Sequence, residues 1–112
     1  MTDCLFCKIA SGGIPSKQAY SDERVYAFHD IAPKAPTHIL VVPRQHIAKL
    51  SEARREDEGL IGELVGRAAA IARELGLDHY RLVLNNGEEA GQSVFHLHFH
   101  LMGGRTFKWP PG

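Results

Sequence analysis

Three histidines stand two residues apart in His96-Leu97-His98-Phe99-His100. Side chains of an extended strand alternate faces. This spacing therefore predicts three imidazoles on one face, about 6.6 Å apart, with Leu97, Phe99 and Leu101 on the other. Imidazole changes charge nearest neutral pH, and each buried ring nitrogen needs a partner. A fold gains little from three such rings side by side, so the alternation points to chemistry. Two chemistries fit. Imidazoles at i and i+2 can share a zinc ion. Alternatively, one ring attacks while another moves protons, and a histidine nucleophile suits phosphorus because a phosphoimidazole is reactive and transferable.

Just upstream, Gly91-Gln92-Ser93-Val94 offers an open backbone, an amide and a hydroxyl, groups suited to phosphate oxygens. No lysine and no Walker pattern accompany them, which excludes an NTPase P-loop. The only cysteines, Cys4 and Cys7, form a C-x-x-C pair, too few for a disulfide framework. No strand-forming segment precedes Cys4, which argues against a βαβ redox motif. Reduced thiols and half of a zinc site both remain open.

These groups must be held by ordered elements. Leu5 to Ala10 reads as a short helix, stopped by Ser11-Gly12-Gly13-Ile14-Pro15. Gln18–Tyr20 and Val25–His29 read as strands. Asp30 to Pro36 carries two prolines and must be a loop, and Thr37–Val42 is an apolar run suited to a buried strand. Ser51 to Leu75 reads as one long helix with Ser51 as its cap, Gly76 as its stop, and Gly59, Gly62 and Gly66 allowing close packing. Tyr80–Leu84 and Val94–Met102 complete the strands. Strands, one long helix, then strands predict an α+β domain spanning residues 1–112 with a mostly antiparallel sheet.

Composition bounds the partners. The 112 residues carry 13 basic and 13 acidic side chains, so no broad basic surface for nucleic acid is expected. No stretch approaches the roughly 20 apolar residues of a membrane span. Met1-Thr2-Asp3 lacks the features of a secretory leader. The expected location is the cytoplasm.

The segment from Asn85 through Gly91-Gln92-Ser93-Val94-Phe95 to His96-Leu97-His98-Phe99-His100-Leu101 resembles the histidine-triad (HIT) superfamily, whose signature is His-x-His-x-His followed by apolar positions. The resemblance covers nearly the whole chain. Phe28-His29-Asp30-Ile31-Ala32-Pro33 and Ala35-Pro36-Thr37-His38 resemble the family's nucleotide-side loop and strand. Gly103-Gly104-Arg105 and Trp109-Pro110-Pro111-Gly112 resemble its Hint branch rather than its dinucleotide-hydrolase branch.

The resemblance implies hydrolysis of adenosine 5′-phosphoramidates and related purine nucleoside phosphoramidates, with AMP-like or GMP-like ligands. It makes His98 the nucleophile, flanked by His96 and supported by His38. His100 and Ser93 would meet the phosphate or the leaving group. Asn85 and the backbone of Gly91 and Gln92 would hold the phosphate and its loop. Asp30 would take the ribose hydroxyls, and Phe28 and Ile31 would form the slot for the base. No catalytic metal is needed. Some members join an N-terminal C-x-x-C to two histidines on zinc, and the matching positions here are Cys4, Cys7, His46 and His96. The resemblance also implies a homodimer with one continuous sheet, and Trp109 reaching the partner's site. His29 and His79 are left as surface or loop histidines. Competing readings are a dinucleoside polyphosphate hydrolase, a purine-nucleotide-binding or interaction module with weak catalysis, and a histidine-rich metal-binding protein.

Overall fold

The computed structural model describes residues 3–112; the first two residues of the Met1-Thr2-Asp3 start lie outside the described residues. Two helices, α1 (Leu5–Ala10) and α2 (Glu58–Glu74), accompany five strands: β1 (Gln18–Ser21), β2 (Val25–His29), β3 (Thr37–Pro43), β4 (Tyr80–Leu84) and β5 (Phe99–Gly103). The strands form one antiparallel sheet in the order β1-β2-β3-β5-β4. This is the α+β architecture expected from the order of elements. Among the described residues no helix is long and apolar enough to cross a membrane.

Alternation along the strands divides the core between two faces. Val25, Ala27, Ile39, Val41, Phe99 and Leu101, with Leu97, pack beneath α2 against Leu60, Leu64, Ala68, Ile71 and Ala72. Tyr26, Phe28, Leu40 and Val42 face the other way and are covered by Phe6, Ile9 and Ala10 of α1. Burial decides that α2 forms despite its glycines. Three of them cost about 1 kcal/mol each. A single buried leucine such as Leu64 contributes about 1.5–3 kcal/mol, and Leu60 and Ile71 are buried beside it.

Four local expectations change. The long helix starts at Glu58 rather than Ser51, because Leu50–Glu52 and Arg55–Asp57 are separate 3-10 turns broken at Ala53. Ser51 caps nothing; its N–H donates to Asn86 Oδ1 at 2.8 Å. The structured start is held instead by the Asp57 carboxylate, which accepts from the Arg54 N–H and from Gln45 Nε2. Gly59, Gly62 and Gly66 face open space, so they do not serve packing within this chain. Gly76 does end α2, with φ of +72°.

The last strand is shorter than Val94–Met102. Only Phe99–Gly103 joins the ladder, and residues 94–98 run outside it. Alternation survives there without strand pairing: Leu97 enters the core under α2, while the His96 and His98 rings turn to the opposite side against Phe6 of α1.

Candidate active site

A row of paired residues crosses the sheet on its α1 side. His100 on β5 pairs with Leu40 on β3, Leu40 with Phe28 on β2, and Phe28 with Gln18 on β1. Three strand spacings make this row about 14 Å long. Above it lies a cavity of about 390 Å³, bounded by Phe6, Phe28, Asp30, Leu40, Ser93, His98 and His100. Ser93, His98 and His100 make one end polar, Phe6, Ile9, Phe28 and Leu40 supply an apolar wall, and Ser16 and Lys17 also border the cavity, so the trough suits an elongated ligand with an anionic end and an apolar part.

Phe6 of α1 forms part of its wall. Its ring meets His98 edge-on at 5.0 Å and Phe28 at 5.4 Å. Nothing in its own neighbourhood marks Phe6 as a site residue, because only the packing of α1 brings it there. His29, expected at the surface, also borders the trough, while His79 lies in a separate groove. Ile31 borders the rim but is fully exposed, so the apolar wall is Phe6, Ile9, Phe28 and Leu40 more than Ile31.

Main-chain partners assign the tautomers of His96, His98 and His38, and His38 in turn assigns that of His100. His96 Nε2 donates to the Pro43 carbonyl at 2.8 Å, which leaves Nδ1 as a lone pair. His98 Nδ1 donates to the His96 carbonyl at 2.7 Å, which leaves Nε2 as a lone pair in the trough. The Lys34 N–H donates to His38 Nδ1 at 2.9 Å, so His38 carries its proton on Nε2. That proton meets His100 Nδ1 at 2.9 Å, with Asp30 Oδ2 at 3.4 Å. His100 must then carry its own proton on Nε2. One wall thus presents a nucleophilic nitrogen and, beside it, a donor; the two rings are 5.0 Å apart.

Burial favours the neutral form of every one of these rings. It pushes His100 down to about 4, helped by the neighbouring His98 and His38 and opposed by Asp30. His96 is likewise pushed down to about 4, chiefly by burial. His98 and His38 are lowered by burial too, with Asp30 opposing in both.

Residues 85–92 shape the turn before the triad. The Gly91 N–H donates to the Glu88 carbonyl and the Gln92 N–H to the Gly87 carbonyl, so neither is free for a phosphate. The buried Gln92 side chain is also consumed: Nε2 donates to the carbonyls of Ala48 and Val94, and Oε1 accepts from the Gly87 N–H. Gly91 has φ of +104°, and a Cβ there would stand 3.6 Å from the Asn85 amide. Asn85 therefore backs the turn and does not border the trough. Ser93 and Val94, just after this turn, are the residues that border the trough.

Two side-chain clusters have metal-ligand composition among the described residues. In the first, His96 Nδ1 lies 3.2 Å from Cys4 Sγ, 3.5 Å from Cys7 Sγ and 3.3 Å from His46 Nδ1, and Cys7 Sγ lies 3.6 Å from His46 Nδ1. A tetrahedral zinc ion needs S–N edges of about 3.6 Å and N–N edges of about 3.4 Å. The His96 lone pair points into the cluster, so these four residues fit zinc. Burial and Cys4 push the Cys7 thiol up, the direction a bound cation would reverse. The second cluster is Asp30, His38 and His100. It fits poorly, because the Lys34 N–H occupies His38 Nδ1 and Nε2 must keep its proton.

The neutral rings couple stability to pH. In the unfolded chain, His38 and His100 titrate near their ordinary value, about 6.5. Between there and about 4 the unfolded state binds more protons than the folded one, so stability falls as pH falls. The urea midpoint is expected to drop between pH 7 and pH 5, and to drop less in His100→Gln. Equal drops in the two proteins would contradict the neutral His100.

A family model for the HIT domain matches residues 11–107. An uncharacterized HIT-like protein of Synechocystis is 48% identical over 111 residues, covering 98% of this chain and 97% of that protein. A crystal structure of a HIT family hydrolase from Legionella pneumophila superposes with a TM-score of 0.96 at 46% identity, covering 98% of this chain and all of that one. A histidine triad nucleotide-binding protein from Candida albicans superposes with a TM-score of 0.82 at 33% identity, covering 96% of this chain and 83% of that one. With its histidine triad, its sheet and the match over residues 11–107, the chain belongs to the HIT domain family.

Proposed function

We propose that this protein is a nucleotide hydrolase that cleaves the P–N bond of purine nucleoside 5′-phosphoramidates through a nucleotidyl-histidine on His98. The observation that carries the reading is the His98–His96 carbonyl bond of 2.7 Å, which leaves Nε2 as an unprotonated nucleophile in the trough. Kinship with proteins described as a hydrolase and as nucleotide-binding supports the class.

In this mechanism the His98 Nε2 lone pair attacks the α-phosphorus while the P–N bond to the amine breaks. The amine leaves with a proton relayed from solvent, and the Ser93 hydroxyl at the same end of the trough can pass it on. His100 Nε2–H donates to a phosphoryl oxygen as charge builds there, a donor already in place before the reaction. Water then attacks the phosphorus and gives up a proton to solvent, the P–Nε2 bond breaks with its electron pair returning to Nε2, and the nucleoside monophosphate departs. Asp30, an acceptor-only group on the rim, takes the ribose hydroxyls. Phe6, Phe28 and Leu40 receive the base by apolar contact. His98→Asn is expected to lower turnover of an adenosine phosphoramidate by more than about 10⁴-fold, the scale set by deleting a covalent nucleophile. AMP should still bind. Ordinary turnover by the variant would overturn the assignment.

The same reading gives Cys4, Cys7, His46 and His96 a structural zinc ion, which would cross-link α1 to the segment before β5 and supply no chemistry to the substrate. Elemental analysis of protein purified without added metal should find close to one zinc per chain, lost in the Cys4→Ser/Cys7→Ser double variant. A wild-type protein free of zinc would refute it.

A homodimer completes the proposal. Among the described residues β4 is an edge strand paired only with β5, and exposed Val65 lies beside the open Gly62 and Gly66 on the outer side of α2. A second copy could extend the sheet along β4, and Trp109, 83% exposed, could reach the partner's trough. Light scattering at micromolar concentration should return twice the 12.4 kDa of one chain; a single-chain mass would contradict this assembly.

A further inference from the structure

Arg105 is exposed and borders no part of the trough, yet a line of donors runs from it to His100. Its Nε donates to the Lys34 carbonyl at 2.8 Å and its Nη1 to the Thr106 carbonyl at 3.0 Å. The guanidinium also lies over the Phe107 ring, 4.2 Å from its centre. Arg81 lies over the same ring at 5.1 Å and holds the Lys108 carbonyl at 2.9 Å. The planar fork is therefore oriented by the tail and the sheet edge at the point where it meets Lys34. Gly104 permits the approach. Its φ is +94°, and a Cβ there would stand 2.9 Å from the Pro36 side chain.

Lys34 lies in the loop that carries Asp30 and leads into β3. Within the loop the Ala32 N–H donates to Asp30 Oδ1 and Lys34 Nζ donates to the Ala32 carbonyl, and these move with it. The Asp30 N–H donates to the His38 carbonyl at 2.9 Å, which anchors the start of the loop to β3 but not Lys34. Arg105 ties it to the C-terminal end of β5. We propose that Arg105 is a positioning residue: its hold on the Lys34 carbonyl keeps the Lys34 N–H on His38 Nδ1, and so sets which nitrogen of His38 and of His100 carries the proton.

The consequence follows from donor and acceptor counts. If Lys34 moves away, only Asp30 Oδ2, 3.4 Å from Nε2, still favours the proton there; wherever His38 Nδ1 takes the proton up, its Nε2 becomes a lone pair. His100 Nδ1 must then be the protonated nitrogen between the two rings. The Nε2 of His100 becomes an acceptor aimed at the trough, where an anionic ligand needs a donor. The expected effect on turnover rests on the function proposed above, whereas the effect on the rings does not.

The test is nitrogen NMR of histidine-labelled wild type, Arg105→Ala and Arg105→Lys, with phosphoramidate turnover measured on the same samples. Wild-type His38 should show an unprotonated Nδ1 and a protonated Nε2. Arg105→Ala should shift both nitrogens toward a mixture of tautomers, and kcat should fall about tenfold with KM nearly unchanged, part of the hundredfold that a 1 Å misplacement can cost. Arg105→Lys, which keeps a donor for the Lys34 carbonyl, should lie between the two. Unchanged His98 signals show that the fold is retained. If Arg105→Ala loses them, Arg105→Met, which keeps the stem over Phe107 without a donor, takes its place. Wild-type ring signals in the donor-free variant would overturn the proposal. If the ring shift appears but wild type hydrolyses no phosphoramidate, the proposed function fails while the role of Arg105 stands.

Discussion

A neutral imidazole has one donor nitrogen and one acceptor, so whatever meets the first decides what the second can do. In this protein the deciding partners are main-chain groups. The Pro43 carbonyl, the His96 carbonyl and the Lys34 N–H set His96, His98 and His38 in turn. The break in the strand before Phe99 is part of this arrangement. The pairing of β3 with β5 stops at Val41 and Phe99, so the His96 carbonyl lies outside the ladder. Left out of the ladder, that carbonyl is free to orient His98. Burial then keeps the rings neutral, so the trough offers a lone pair beside a donor rather than a cluster of like charges.

His96 joins two parts of the molecule. Its ring faces Cys4, Cys7 and His46, while its carbonyl holds His98. Helix α1 spans the same divide, with both cysteines at its start and Phe6 against His98 and Phe28. A helix of six residues is far too short to persist alone. It is secured by its apolar contacts with the sheet, by Arg44 donating to the Ala10 carbonyl, and by whatever joins the cysteine–histidine cluster. The wall of the trough is therefore only as firm as the N-terminal anchoring.

Much of this was legible in the residues. The alternation of His96 to His100, the apolar rhythm from Leu60 to Ala72 and the stop at Gly76 each have a local physical cause, and each appears in the fold. The parts that were not legible depend on distant partners. Ser51 carries a good cap residue's chemistry, but Asn86 engages its N–H from 35 positions away. Gln92 looks like a free amide until Ala48 and Gly87 are seen to consume it. Phe6 and His29 border the trough only because α1 and β2 bring them to it. Cys4, Cys7, His46 and His96 converge as the family resemblance implied, a gathering that spacing alone leaves open.

The central claim is that His98 forms a covalent bond to phosphorus. The most direct measurement is the stereochemical course at phosphorus, followed with a P-chiral adenosine 5′-phosphoramidothioate hydrolysed in oxygen-18 water. Two in-line displacements, first by His98 and then by water, predict net retention of configuration. Net inversion would mean a single attack by water and would contradict the nucleophilic role of His98.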